Sequence, residues 1–470
     1  MHRSTSVKVR AAAAVAVGGL VCGLAACSSG ASSPGGGDTG ETLTVWSLEN
    51  LTERVDVTKK IADDFTAKTG IKVKLVGVDE NQLSQLVLSS AAAGKLPDVI
   101  GAVPLASVRQ MASNELLDST ATQQVVAHLD PRTFNQQALE LTRDGERQLA
   151  VPSDAWSQIL VYRKDLFDKA GLKTPATYED IEKAAKVLDG KGMDGISLAT
   201  DPADAFTQQS FEDIAVANGC ELVNRQGEVQ LNSPSCKKAF SFYGDLATKY
   251  GAPGTQTVDS TRASYFAGKS SMIVWSSMLL DELAGLRNDA MPSCPECKGD
   301  PQWLAKNSGV VTSIKGPDGK APAQFGEMTS WTITRNANKA ASQQFVEFIL
   351  DEGYADWFGM APEGKVPVRK GTTAEPEKFQ KAWDTSKVGV DTKKALSEIY
   401  SAQTIDDLRQ GLDHMQRWGI TQGQGELLGA TIGELPVPKA ISSLASGEAD
   451  ASEVAQQAND KVKDIQDSLK

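Results

Sequence analysis

The chain has 470 residues, which is more than a single hydrophobic core usually holds, so we expect at least two folding units. Hydrophobic residues make up 40% of the sequence and charged residues 23%, which is the composition of a soluble globular protein. The formal net charge of −12 argues against binding to nucleic acid or to anionic lipid through electrostatic attraction.

The N-terminus has the pattern of a secretory signal peptide, which we place at 1–26. Basic residues without any acid precede an uncharged, mostly apolar run that is too short to span a bilayer comfortably. The run ends at Leu24-Ala25-Ala26-Cys27, which resembles a bacterial lipobox, whose cysteine is acylated and becomes the mature N-terminus. Residues 27–41 are rich in Ser and Gly and predict a flexible tether. We therefore predict an extracytoplasmic protein anchored by lipid on Cys27, the alternative being an ordinary signal peptide with a chance cysteine.

Four more cysteines follow the tether: Cys220, Cys236, Cys294 and Cys297. Disulfides persist outside the cytoplasm, and sequence proximity favours the pairs Cys220–Cys236 and Cys294–Cys297 among the possible connectivities. The second pair could instead be a redox or zinc motif, but a zinc site needs two more ligands, and only two histidines lie outside the signal peptide. Prolines around this pair predict a loop, so we expect structural disulfides, no metal and no cofactor.

The next part of the chain alternates predicted strands and helices. A helix with Val57, Ile61 and Phe65 on one face ends at Gly70. The predicted strands around this helix and the following one are 43–46, 71–76 and 97–101. This order predicts a parallel sheet covered by helices, in which ligands bind at the carboxyl ends of the strands.

A second α/β region follows, and the C-terminal part is helical. Thr177 stands where the cap of a helix is expected, before two acidic residues. The predicted strands are 148–152, 159–162, 272–275 and 331–334, and the predicted C-terminal helices are 396–412, 438–444 and 454–469.

Five short motifs occur in the same order as in a known family. They are 43–46 with 65–73, 94–99, 151–152 with 162–167, 266–272, and 445–448. With these motifs the chain resembles bacterial extracellular solute-binding proteins of family 1, the maltose-binding-like group, over nearly its whole length after Cys27. Arg163 stands where the family more often has Asn.

The resemblance implies a two-lobed α/β fold of the periplasmic-binding type (type II), each lobe a mainly parallel sheet flanked by helices. A hinge of two or three crossing segments would join the lobes, and by position these fall near 152–154, 326–329 and 365–371. The N-lobe would then comprise 42–152 and 330–366, and the C-lobe 155–325 and 372–470. Hinge closure on a ligand is what a membrane permease would sense.

The resemblance also implies where a ligand binds. Sugars present apolar ring faces and many hydroxyls, so their sites combine aromatic planes with carboxylate, amide or guanidinium partners. The predicted ligand-binding residues are Glu49, Asn50, Trp156, Asp201, Asp204, Phe206, Trp275, Met278, Trp331, Trp418 and Glu434. Met278 and Glu434 stand where relatives carry aromatic residues, which makes maltodextrin a poor expectation.

These features predict the substrate-binding lipoprotein of an ABC importer, a monomer that captures a carbohydrate and delivers it to permease subunits, without binding nucleic acid. The nearest P-loop and dinucleotide-binding patterns fail in their spacing, and neither HExxH nor GxSxG occurs, so we expect no enzyme. The alternatives are a secreted glycoside hydrolase, whose paired carboxylates leave no local pattern, and a surface sensor or adhesin. The ligand could also be a polyol or glycerol 3-phosphate, although a phosphate needs Arg or Lys in the cleft.

Overall fold

The computed structural model describes residues 42–190 and 192–470, so the predicted signal peptide, tether and Cys27 lie outside it. The strands are β1 Thr42–Ser47, β2 Lys72–Gly77, β3 Val99–Pro104, β4 Arg143–Asp144, β5 Arg147–Gln148, β6 Val151–Arg163, β7 Met272–Ser276, β8 Ser308–Val311, β9 Gln324–Ile333, β10 Val366–Pro367, β11 Lys387–Val388, β12 Lys394–Ala395 and β13 Met415–Gln416.

The α-helices are α1 Thr52–Thr69, α2 Leu83–Ala92, α3 Leu105–Ser113, α4 Ser119–His128, α5 Gln136–Leu141, α6 Lys164–Ala170, α7 Tyr178–Leu188, α8 Ala205–Ala217, α9 Pro234–Lys249, α10 Val258–Phe266, α11 Leu279–Leu283, α12 Trp303–Lys306, α13 Lys339–Ile349, α14 Tyr354–Gly359, α15 Lys378–Asp384, α16 Leu396–Ile399, α17 Ala402–Gly411, α18 Gly425–Glu434, α19 Pro436–Ala445 and α20 Ala451–Ser468. None of the helices described is long and apolar enough to cross a bilayer.

The first part of the described chain has the predicted alternation. Strand β1 pairs in parallel with β2 and with β3. Helix α1 buries Ile61 and Phe65 in the same core as Leu43 and Val45 of β1. It ends at Gly70, whose φ of 77° lets its N–H bond to the carbonyl of Thr66.

Strand β6 connects two groups of strands. Its first half pairs with β9, and its second half, from Gln158 onward, pairs with β7 and β8. At about 3.3 Å per residue, its 13 residues span roughly 40 Å. Strand β9 continues the sheet to β3, so β6 and β9 together carry it from one group of strands to the other.

The expectation of mainly parallel pairing holds for β1, β2 and β3 but is wrong for the second group. There, β6 is antiparallel to both β7 and β8. The parallel contacts are the short pairing of β13 with β9 and isolated bridges such as Ser197 to Ile273. An apolar run that is buried on both faces has the same sequence pattern in a parallel and in an antiparallel strand, so the pattern could not fix the strand direction.

The three crossing segments lie side by side. Asp154 of β6 is in register with Thr329 of β9 and with Pro367 of β10, on opposite sides of β6. The hydrophobic core is continuous past them, since Leu43 and Leu280 belong to one cluster. The lobe boundaries themselves remain a prediction.

Both predicted disulfides are present. Cys220 pairs with Cys236 and Cys294 with Cys297, with Cα atoms 4.6 and 5.0 Å apart. Cys294 and Cys297 are 0% and 5% exposed, so this bridge lies inside the protein, as expected of a structural disulfide.

Helix α18 packs directly against α3. A Cβ atom at Gly425 would lie 2.2 Å from the Cγ of Arg109, and one at Gly429 would lie 3.8 Å from the Cβ of Ala106. A larger residue at position 425 would therefore push the helices apart. The close contact brings one wall of the cleft described below against the other.

Helix α8 is held to β9 through a buried acid, Asp213, whose Oδ1 accepts a hydrogen bond of 2.8 Å from the backbone N–H of Phe325. Burial raises the pKa of the Asp213 carboxyl to about 8. The folded protein thus keeps a proton on Asp213 at neutral pH, whereas the unfolded chain releases it.

We expect Asp213→Asn to increase the free energy of unfolding at pH 7 by roughly 1–3 kcal/mol. The stabilisation by this carboxyl is complete below its unfolded pKa of 3.8 and is lost as the pH rises towards about 8. The neutral amide avoids that loss and can still accept from Phe325. Urea unfolding should show the gain at pH 7 and not at pH 4; Asp464→Asn, at an exposed position, is the control. An equal gain at both pH values would contradict the argument.

Candidate functional site

A cleft of about 560 Å³ lies between α3 on one side and α8 and α18 on the other. Residues of β6 and β9 lie between these walls. Its volume is in the range of small-molecule sites. The polar and aromatic side chains that line it are Glu80, Ser84, Ser107, Gln110, Trp156, Gln209, Glu327, Thr329, Arg417 and Glu426.

The wall formed by β3 is locally irregular. The pairing of β3 with β9 shifts register between Ile100 and Val103, and Ala102 has a φ of 60°. This conformation costs a non-glycine residue about 1 kcal/mol and is often found beside binding sites. Ala102 and Pro104 both line the cleft, at the carboxyl end of their strand, where the sheet topology predicts ligand binding.

Trp156 supplies the aromatic surface of the cleft. It stands in register with Glu327 across the β6–β9 pair, and its half-buried ring lies 5.5 Å from that of Phe325, tilted by 49°. Phe325 is fully buried, so it supports the Trp156 ring from the protein side. A supported, partly exposed ring next to carboxylates is suited to the apolar face of a sugar.

Glu327 links the two walls. Its Oε1 accepts a hydrogen bond of 3.0 Å from the N–H of Leu105, the first residue of α3, where the helix dipole favours a negative charge. Its Oε2 accepts one of 3.1 Å from Nε of Arg417, whose Nη1 donates to Glu212 of α8. Burial raises the pKa of Glu212, and the charge of Arg417 opposes that rise. These contacts connect one wall of the cleft to the other, from α3 through Glu327, Arg417 and Glu212 to α8.

A second buried ionic group holds the crossing segments. Nζ of Lys365 lies 2.5 Å from Glu49 and 3.2 Å from Asp154, and its side chain is 3% exposed. Asp154 also accepts from Thr329 and, at 2.8 Å, from Nε1 of Trp357. Burial alone would raise the pKa of Glu49, but the nearby charges of Lys365 and Arg54 lower it to about 2.

Residues 60–387 match the family described as bacterial extracellular solute-binding protein. The chain belongs to this family. Among curated relatives of this solute-binding protein, YcjN of Escherichia coli, named as an ABC transporter periplasmic-binding protein, is 28% identical over 88% of the chain and 90% of its own length. The diacetylchitobiose-binding protein DasA of Streptomyces coelicolor is 25% identical over 48% of the chain and 53% of its own length.

The fold is that of the two-lobed, maltose-binding-like proteins. The solved structure of the cyclic α-maltosyl-1,6-maltose binding protein of Arthrobacter globiformis superposes with a TM-score of 0.67, covering 91% of this solute-binding protein and 99% of that chain, at 17% identity. At this level of identity the similarity establishes the fold class and not the ligand.

Among the residues predicted to bind ligand, Trp156 lines the cleft and the other ten do not. Glu49 is engaged with Lys365 and Arg54, and Asn50 is exposed. Asp201 and Asp204 accept hydrogen bonds of 2.9 Å from backbone N–H groups, Asp204 as the cap of α8. These two acids therefore position the start of α8, whose residues Ala205 and Gln209 do reach the cleft.

The predicted aromatic residues are mostly core residues. Trp331 and Trp418 are 0% exposed, so neither ring offers a surface to a ligand, and the expectation for them is corrected. Phe206 and Trp275 pack against each other with centroids 5.4 Å apart, and Nε1 of Trp275 donates to the carbonyl of Val258. Trp331 lies so close to Gly101 that a Cβ there would be 2.4 Å from its ring.

Met278 and Glu434 also lie elsewhere. Met278 lies against Gly364, in the short 3-10 helix Pro362–Gly364 before β10. Glu434 ends α18 and faces a separate groove against α20, although the preceding Gly433 lines the cleft.

Sequence reasoning missed Glu80, Gln209, Glu327, Arg417 and Glu426, all of which line the cleft. One signal was available for Glu327, because it is the only charged residue in 325–331, and a buried strand tolerates a charge only with a partner. Its partner Arg417 is 90 residues further along the chain, which no local pattern reveals.

We expect Lys365→Met to lower the free energy of unfolding at pH 7 by roughly 3–5 kcal/mol, because methionine fills the space but leaves the carboxylates of Glu49 and Asp154 buried without a cation. The stabilisation by Glu49 is present above its unfolded pKa of 4.5 and is lost as the pH falls towards about 2. In the variant, this acid-dependent loss should shrink. Chemical denaturation between pH 2 and 7 measures both effects.

Lys370→Met, at an exposed position five residues along, is the matched control for Lys365→Met and should change stability by less than about 0.5 kcal/mol. Equal losses in the two variants would show that the buried ion pairs do not carry the effect.

Proposed function

We propose that this solute-binding protein is the receptor of an ABC importer that captures a carbohydrate in the cleft and passes it, unmodified, to a membrane permease. The observation that carries the proposal is the supported ring of Trp156 in one cleft with side chains that can hydrogen-bond to sugar hydroxyls, such as Thr329, Gln209 and Glu327. Relatives named for sugar ligands, diacetylchitobiose and cyclic maltosyl-maltose, point to the same class.

The proposal includes the domain arrangement predicted from the sequence. The lobes 42–152 with 330–366 and 155–325 with 372–470 would rotate about the crossing segments as the ligand is captured. The adjacency of Asp154, Thr329 and Pro367 supports this arrangement, since strands bonded side by side can bend together. The closed form is what we expect the permease subunits to recognise, with the protein acting as a monomer.

Membrane attachment is the remaining part of the proposal. Acylation of Cys27 would hold the protein at the outer face of the cell membrane, with 27–41 as the tether. The family of extracellular solute-binding proteins is consistent with this location.

A thermal-shift and calorimetric survey of mono- and disaccharides tests the binding function. We expect at least one saccharide to raise the melting temperature, because it binds only the folded state. Trp156→Ala should weaken the binding of that saccharide by about tenfold or more, since the aromatic ring face is lost. The bound sugar should be recovered chemically unchanged after incubation.

Trp303→Ala is the matched control, because Trp303 is also half-buried but lies outside the cleft, beneath the guanidinium of Arg163 at 4.9 Å. It should alter stability without altering affinity. Hydrolysis of the sugar would favour the glycoside hydrolase alternative, and no shift with any saccharide would overturn the proposal.

For the lipid anchor, we expect Cys27→Ala to release the protein from the membrane fraction when it is expressed in its own cell type, because the acylated thiol is lost. Cys22→Ala, five residues earlier in the apolar run, should leave attachment unchanged. Fractionation and mass spectrometry of the mature N-terminus give the readout. A mature chain that begins at any residue other than 27 would contradict acylation at this cysteine.

A further inference from the structure

The charged side chains that line the cleft are mostly acidic. Glu80, Glu327 and Glu426 face it, against the single guanidinium of Arg417. A concave site with low-dielectric walls concentrates the field of such groups. The charge that the cleft accepts in a ligand therefore depends on which of these groups already have partners.

Arg417 already has two ionic partners. Its side chain is 1% exposed, its Nε and Nη1 are bonded to Glu327 and Glu212, and its guanidinium lies 4.6 Å above the ring of Phe325. Two buried carboxylates thus compensate one positive charge. An anionic ligand would have to compete with both of them, at the cost of leaving a carboxylate buried and unpaired.

The cations around Glu49 also have acidic partners already. Lys365 is shared between Glu49 and Asp154, and Arg54 lies 2.8 Å from Glu49. Acids at the crossing segments balance these positive charges. Neither Lys365 nor Arg54 is among the residues that line the cleft.

Glu80 and Glu426 are different. Among residues 42–190 and 192–470, neither carboxylate has a hydrogen-bond or ion-pair partner, and both face the cleft, from the segment before α2 and from α18. The surrounding protein raises the pKa of Glu80, and the charges of Glu327 and Glu49 add to that rise. The same repulsion would oppose any further negative charge, and a positive charge would relieve it.

We infer that the cleft selects its saccharide by charge. It rejects sugar acids and sugar phosphates, and it binds a saccharide that carries a protonated amino group more tightly than the neutral counterpart, with Glu80 and Glu426 as counter-ions. The ring of Trp156 holds the apolar sugar face in either case. This inference rests on the proposed carbohydrate-binding function and names the class of ligand.

Isothermal titration of the mature protein with two matched sets of sugars tests the inference. The first set is glucose, glucosamine, glucuronic acid and glucose 6-phosphate; the second is cellobiose, the β-1,4-linked disaccharide of glucosamine, and cellobiouronic acid. At about 20 mM NaCl the amino sugar of a set that binds should be about tenfold tighter than its neutral partner, and the anionic members should be weaker than the neutral one. At about 500 mM NaCl the advantage should fall to about threefold or less.

Variants locate the effect. Glu80→Gln and Glu426→Gln should each reduce the advantage of the amino sugar by about threefold or more while changing the affinity for the neutral sugar by less than about twofold, because each removes one full charge and keeps hydrogen-bonding capacity. Glu434→Gln is the matched control, since this glutamate belongs to the same helix as Glu426 but faces another groove. The melting temperature of each variant without sugar verifies that it is folded.

The outcomes separate the two proposals. If neutral sugars bind and the amino sugars bind no more tightly, or if the anionic sugars bind equally well, the charge selection is wrong and the carbohydrate-binding function stands. An advantage that persists in both Gln variants would also overturn the roles of Glu80 and Glu426. If no member of either set binds and the wider saccharide survey is negative too, the proposed function fails and the inference fails with it.

Discussion

The buried carboxylate of Asp154 is the interaction on which the rest of this structure depends. It lies on β6, accepts from Thr329 on β9, and pairs with Lys365, which precedes β10. A carboxylate with 0% exposure is tolerated only because several donors and a cation surround it. One buried group therefore ties together the three crossing segments. Trp156, Glu327 and Thr329, which line the cleft, belong to two of these strands.

The side chains that give the cleft its chemistry lie on the same strands as Asp154 and Thr329. Two residues beyond the crossing, Trp156 turns its ring towards the cavity, and Glu327 stands opposite in register. Glu327 in turn receives the first N–H of α3 and the guanidinium of Arg417. The same side chain thus sets the start of one wall and is paired to the other. A change in the angle between the strands would alter these contacts together, so the proposed closure on a ligand would also change the polar lining of the site.

Sequence reasoning succeeded where the information is local. The caps at Gly70 and Thr177, the buried faces of α1 and both disulfides were predictable because each depends on residues within about 16 positions of one another. The crossing segments follow from the family resemblance and remain a prediction, which the side-by-side pairing of Asp154, Thr329 and Pro367 supports. Strand direction in the second sheet group was not predictable, since β6, β7 and β8 are joined by long connections that an apolar run does not specify.

The sequence by itself determined the class of protein and the alternation of strands and helices in its first part. Through its place just after the first predicted crossing, Trp156 was also singled out, and it lines the cleft. Only the tertiary structure decided which polar groups share the cleft, and it placed Trp331 and Trp418 in the core. The physical reason is distance along the chain. Glu327 accepts a hydrogen bond from Leu105, 222 positions away, and pairs with Arg417, 90 positions away, and no local pattern records such contacts.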